Sequence, residues 1–117
     1  MAFVYTLSDF FDSQRAWSYQ TFGPPYHRGP IGPLKHLAKE AQEAIQETDH
    51  NKRIEEIVDC LFMVFEAAHR SGLSSTDFAK AAYMKLHKNQ QRSWPDWQTA
   101  DPTKPVEHDR SKDESRD

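Results

Sequence analysis

At 117 residues the chain has the length of one domain, with room for a core of its own but not a large one. Its net charge of −3 and lack of a basic stripe argue against nucleic-acid binding, and a single cysteine excludes an internal disulfide. The N-terminus lacks the basic flank and long apolar core of a signal peptide, and no apolar run approaches the ~20 residues of a membrane span. The expectation is a cytoplasmic protein with no membrane partner.

Met1 to Leu7 reads as a short apolar arm. Ser8 is a plausible N-cap, followed by Asp9 and Asp12 where the helix dipole favours negative charge. Helix 1 then runs to about Thr21, with Phe10, Gln14, Trp17 and Thr21 on one face. Gly23-Pro24-Pro25 ends it. Residues 23–33 hold three Gly and four Pro, together with His27 and Arg28. That composition predicts a shaped loop, either a solvated connection or a rim over a pocket.

Helix 2 is predicted from Pro33, which suits a first turn. Leu34, Leu37, Ala38, Ala41, Ala44 and Ile45 form its apolar stripe. His36, Glu40, Glu43 and Glu47 line up beside it with no Lys interleaved, although like charges at this spacing repel by about 0.2–0.5 kcal/mol per pair. A polar turn at Thr48 to Asn51 leads into helix 3, predicted to about Ser71. Here Ile54, Ile57, Val58, Leu61, Phe65 and Ala68 make one stripe, and Cys60, Met63 and Val64 cover the opposite side. A helix apolar all round is buried on every side, which suggests that another subunit completes the core. Asp59 is then expected where a lone carboxylate is costly unless an Arg or Lys, a raised pKa or a metal compensates. Cys60 reads as a small core residue rather than a nucleophile.

Gly72 suits the residue just past a helix, and Ser74-x-x-Asp77 resembles a capping box. Helix 4 is predicted to about Gln91. Phe78, Ala79, Ala82, Tyr83 and Leu86 form its apolar face, and Lys85, Asn89 and Arg92 a positive line. Trp94-Pro95-Asp96-Trp97 stops the helix and is expected to dock its indoles on the body. The domain is therefore placed at 1–98, and the polar segment 99–117 reads as a disordered tail. The fold class is all-α, a four-helix bundle completed by oligomerisation.

With helices 2 and 3 as antiparallel neighbours across a short turn, Glu40-x-x-Glu43 faces Glu56-x-x-Asp59. Four hard oxygen ligands without Cys suit Mg2+ or Mn2+ rather than Zn2+. Lys85, Asn89 and Arg92 offer what a polyphosphate needs. Solvated acidic faces and structural salt bridges are the competing reading of the same residues. His36 either contacts substrate or makes a local hydrogen bond, and Trp17 is either core or a stacking surface.

Glu40-x-x-Glu43, twelve residues, then Glu56-x-x-Asp59 resembles the metal motif of the MazG-type all-α nucleoside triphosphate pyrophosphohydrolases. Lys85-x-x-x-Asn89-x-x-Arg92 is similar to that family's phosphate-binding motif, and Gln14-x-x-Trp17 to its first-helix signature. Gly29-Pro30, His36-Leu37-x-Lys39-Glu40 and Trp94-Pro95-x-Trp97 resemble the dATP/dGTP diphosphohydrolase branch. Within it, the short form is similar to phage enzymes acting on guanine nucleotides in 2-aminoadenine genome synthesis. The resemblance implies hydrolysis of a (d)NTP to the (d)NMP and diphosphate with Mg2+ or Mn2+. It implies Glu40, Glu43, Glu56 and Asp59 as catalytic metal ligands, with Glu43 or Glu40 taking the proton from water. It further implies Lys85, Asn89 and Arg92 on the phosphates, and Gln14, Trp17 and His36 on a purine, with dGTP or GTP favoured. It also implies a homodimer or homotetramer, in the host cytoplasm if phage-encoded. A relative acting on another (d)NTP, or a non-catalytic helical dimerisation module, remains the alternative.

Overall fold

A computed structural model of the chain describes residues 4–24 and 28–112. Four α-helices follow one another among the described residues: α1 (Leu7–Phe22), α2 (Ile31–Gln46), α3 (His50–Arg70) and α4 (Ser75–Gln90), and a 3-10 turn lies at Arg110–Lys112. There is no strand among the described residues, so the fold is all-α as expected. The chain divides into two compact units, Met1–Ala79 and Lys80–Asp117, with α4 beginning in the first and ending in the second.

In the first unit α1 starts slightly ahead of the expected cap, because Thr6 rather than Ser8 accepts the Asp9 N–H through Oγ1 at 3.0 Å. Its buried face is Phe11, Gln14 and Ser18, not the Phe10/Gln14/Trp17/Thr21 face. Aromatic packing decides this rotation. The Phe11 ring lies 5.2 Å from Phe65 and 5.6 Å from Phe78, while Phe10 packs edge-on against Phe62 at 5.1 Å. One aromatic cluster thus joins α1, α3 and the start of α4. Trp17 is left 53% exposed instead of entering the core.

The connection after α1 is shorter than the Pro and Gly content predicts, since α2 begins at Ile31 with Pro33 buried in its first turn. Pro25, Tyr26 and His27 lie outside the described residues, and with them the part of the rim reading that concerned His27. Arg28 holds its guanidinium 5.7 Å from the Phe22 ring centre.

Three residues, Glu47, Thr48 and Asp49, connect α2 to α3. The Glu47 carboxylate accepts from the Thr48 and Asp49 N–H groups, and Asp49 caps α3 by accepting from Lys52 N at 2.9 Å. Arg53 reaches back to the end of α2, donating to the carbonyls of Ala44 and Glu47. At its other end α3 closes in a Schellman motif: Leu73 N–H donates to Ala68 O and Gly72 N–H to His69 O, with Gly72 at φ 83°. Ser74 Oγ then accepts from Asp77 N, as the capping-box pattern predicts.

The expectation that α3 is buried on every side is not met within the chain. Phe65 to His69 are buried, whereas Ile54, Ile57, Val58 and Asp59 are exposed. Among the described residues α1 and the start of α4 pack on the C-terminal half, and α2 runs along α3 until Gly32 comes beside Arg70. In the second unit Arg92 donates to Asn89 Oδ1 and Trp94 Nε1 donates to Asn89 O. The expected docking of both indoles is also corrected, because Trp97 stays 81% exposed. Where composition predicts an unstructured tail from 99, residues 99–112 make turns, and Asp109 N–H donates to Ser93 O at 2.7 Å. Residues 113–117 lie outside the described residues.

Two stability predictions follow from the first unit. Phe11→Ala should cost about 3–5 kcal/mol in urea unfolding, against roughly 0.5 kcal/mol or less for Trp97→Ala. His69 is 3% exposed against the Phe11 ring, and neither ring nitrogen has a hydrogen-bond partner. Burial holds its pKa below the ordinary 6.5 despite Glu66, so the native state binds fewer protons than the unfolded chain. Its contribution is present above pH 6.5 and lost as pH falls through the native value. His69→Phe should make the acid limb of a Tm-against-pH curve shallower.

Candidate active site

Antiparallel packing of α2 on α3, fixed by the short turn and the Arg53 clamp, sets Glu40 and Glu43 opposite Glu56. Each of these three offers a carboxylate oxygen within 4.8 Å of the others. All three are partly buried. Oε2 of Glu40 and Oε2 of Glu56 are shut off from water, and no N–H or hydroxyl of the described residues donates to them. Buried acceptors without donors are rare and costly, so a proton or a cation is what the cluster lacks.

The electrostatics follow from this crowding. Partial desolvation, the Glu40 carboxyl and the charges of Glu43 and Asp59 push Glu56 up to about 7. For Glu40, desolvation pushes upward but is outweighed by hydrogen bonds with Glu56, His36 and Glu43, and its pKa falls below the ordinary value. The pair therefore shares a proton near neutrality, with Glu56 as its holder. His36 lies one turn before Glu40 and contacts Glu40 Oε1 through Nε2 at 2.8 Å. That is the local hydrogen bond among the two roles open to it, and it steadies Glu40.

Asp59 differs from its expectation. It is exposed, and it is not one of the three residues whose oxygens converge. The side of α3 that carries it faces open space rather than packed side chains. Asp59 does line a cavity of about 270 Å³ together with Glu40. That cavity also takes in Gln14, Trp17 and His36, so the residues singled out for metal and for base meet around one space. Lys85, Asn89 and Arg92 belong to the second unit, where Asn89 and Arg92 are hydrogen-bonded to each other at 3.0 Å.

Four further lining residues were not singled out from sequence: Phe22, Phe62, Met63 and Glu66. Phe22 stands edge-on to Trp17 at 5.4 Å, with the Arg70 guanidinium 5.9 Å from its centre. Glu66 is the acid that α3 does bury, at 4% exposure. Its Oε2 accepts from Ser18 Oγ at 2.6 Å and from Arg70 Nε at 2.8 Å. The signal was present, because an acid inside Met63–Ala68 with an Arg four residues later poses the same question as Asp59. Gln14, 5% exposed, donates from Nε2 to Phe62 O at 2.8 Å, and its Oε1 has no partner. Such an orphan acceptor costs about 1–3 kcal/mol. Burial and then the neighbouring acids push the Cys60 thiol up, consistent with a filling role and not a nucleophile.

An all-α chain with acidic pairs opposed across a helix–turn–helix is the architecture of a MazG-like nucleoside triphosphate pyrophosphohydrolase. The family model described as dATP/dGTP pyrophosphohydrolase matches residues 10–113, and the chain belongs to that family. No curated protein matches it. Among solved structures, it is similar to the cyanophage S-2L MazG-like pyrophosphohydrolase bound to dGDP and three catalytic Mn2+ ions per active site. The identity is 23%, over 89% of this chain and 93% of that one, with a TM-score of 0.68, a likeness of fold. No helix among the described residues is long and apolar enough to cross a membrane.

The raised Glu56 gives a pH prediction. Between the ordinary carboxylate value of 4.5 and about 7 the folded state holds a proton that the unfolded chain releases. The Tm of the metal-free protein should therefore carry a destabilising contribution that grows as pH rises through this window. A divalent ion binds the deprotonated form, so the Tm increment given by Mn2+ should grow over the same window. An increment independent of pH would contradict the shared proton.

Proposed function

We propose that the chain hydrolyses a purine (deoxy)nucleoside triphosphate to the monophosphate and diphosphate with Mg2+ or Mn2+, guanine being favoured. The observation that carries this is the convergence of Glu40, Glu43 and Glu56, with buried oxygens lacking any donor. An all-oxygen, all-carboxylate set fits a hard divalent ion. In this reading Asp59, on the wall of the same cavity, completes the ligand set. The guanine preference draws on the dGDP held by the cyanophage relative.

The ion, when bound, screens the phosphate oxygens and makes water a better nucleophile. The residues of the chain do the rest. Glu43, or Glu40 steadied by His36, accepts a proton from the water that attacks the α-phosphorus. The bond from that phosphorus to the bridging oxygen breaks, and diphosphate leaves. Lys85, Asn89 and Arg92 are proposed to hold the phosphates, with Arg92 as a fork and Lys85 as a point charge. Gln14, Trp17 and His36 are proposed to receive the base, consistent with the cavity they line beside Glu40.

We also propose a homodimer or homotetramer in the cytoplasm, the host's if phage-encoded. The exposed Ile54, Ile57 and Val58 on α3 supply apolar surface for a second copy.

Incubation with dATP, dGTP, dCTP, dTTP and dUTP, each with Mg2+ or Mn2+, tests the reaction. Monophosphate and diphosphate should appear in equal amounts and disappear with EDTA. Glu56→Gln should lower kcat/KM by at least about a hundredfold while helix content stays unchanged, since loss of a ligand exceeds the loss of an outer partner. Full activity in Glu56→Gln, or turnover in EDTA, would sink the metal assignment.

A further inference from the structure

Gln14 lines the cavity beside the carboxylates, and it carries one buried acceptor, Oε1, that no donor reaches. Chemistry fixes which end of this amide faces which way. Phe62 O can only accept, so the Gln14 atom 2.8 Å from it is the NH2. Oε1 is left pointing elsewhere, without a donor and closed to water. Phe22, Phe62 and Met63 on the wall carry no polar hydrogen, and Asp59 and Glu66 are acceptors. Trp17 and His36 do carry N–H donors, but neither reaches Oε1, and His36 contacts Glu40.

We infer that Gln14 reads the direction of a hydrogen bond on the base: it accepts from an N–H on the purine edge and rejects a purine with only acceptors there. This rests on the proposed function and goes beyond it by naming the group that the base must present. Adenine meets the requirement with its 6-amino group, guanine with N1–H and its 2-amino group. An unsubstituted purine has neither. Trp17 is half-exposed and Met63 is unbranched, so the wall has side chains that can shift to let a seated ring reach Oε1. The bond to Phe62 O holds the amide in orientation before the base arrives, which makes Gln14 a specificity residue on a rigid support.

The test is a ratio. The kcat/KM of the better of dATP and dGTP is divided by that of the triphosphate of unsubstituted purine deoxyriboside, with Mn2+. Wild type should give at least about tenfold, the size of one buried hydrogen bond left unmade. Gln14→Leu should bring the ratio to within about threefold of one. Gln14→Met is close in shape and lacks the amide acceptor, so it should lower the ratio in the same way and decides the matter if the Leu variant does not fold. A residue that only ties α1 to α3 would lower Tm and slow all three nucleotides alike. A wild-type ratio near one, or an unchanged ratio in Gln14→Leu or Gln14→Met, overturns the inference. Equal turnover of the three nucleotides does so while leaving hydrolysis standing. If no nucleotide is turned over, the proposed reaction falls, and equilibrium binding of the same three with Mn2+ reads the ratio instead. Preferential binding upholds Gln14, and equal or absent binding removes it.

Discussion

Glu66 lies buried on α3 with both Ser18 and Arg70 bonded to one of its oxygens. A buried acid without such partners is strongly destabilising, so wherever this side chain sits, Ser18 must sit opposite it. That requirement fixes how α1 lies along α3. Gln14, one turn earlier on α1, then meets Phe62 O, one turn earlier on α3, and Phe11 packs against Phe65 beside this line. The aromatic cluster fills the space between the helices, but rings slide more easily than hydrogen bonds do. The polar pair sets the alignment and the rings fill it.

The same alignment brings the residues proposed for the base and for the metal to one cavity. α1 supplies Gln14 and Trp17, α2 supplies His36 and Glu40, and α3 supplies Asp59 and Glu66. Two acidic residues of α3, Glu66 and Glu56, have opposite tasks. Glu66 is fully engaged in structure, while the unpartnered oxygens belong to Glu40 and Glu56. A carboxylate with its partners in place stabilises a fold. One that lacks a donor in the empty protein is the kind that waits for a ligand.

Much of this was legible in the sequence. The four helices, the caps at Gly72 and Ser74, and the meeting of Glu40 and Glu43 with Glu56 followed from period, caps and turn length. Rotation of helices about their axes was not legible. The α1 face chosen from sequence was one residue off, because Phe10 and Phe11 are equally apolar and only the rings they meet on α3 and α4 separate them. Asp59 was expected to be buried and is not, because an apolar run says what a helix can bury and not what covers it within one chain. The role of Glu66 went unread for a related reason: it stands among residues that look like core filling, and its partner Ser18 lies 48 positions away. Of the line expected on α4, Lys85 and Asn89 lie on the helix and Arg92 just past its end at Gln90, and all three fall in a separate compact unit from the carboxylates.

The turn between α2 and α3 is only three residues long, yet it is pinned by Glu47, Asp49 and Arg53. Most surface connections accept insertions at little cost. This one does not have that freedom. One added residue would swing the start of α3 by about 100° and slide it by about 1.5 Å, turning Glu56 away from Glu40 and Glu43. The helices would still pair and the aromatic cluster could still form, but the acids would no longer meet. The length of this turn is therefore as much a part of the site as the acids themselves, and natural variation in loop length should be confined to the segment between α1 and α2.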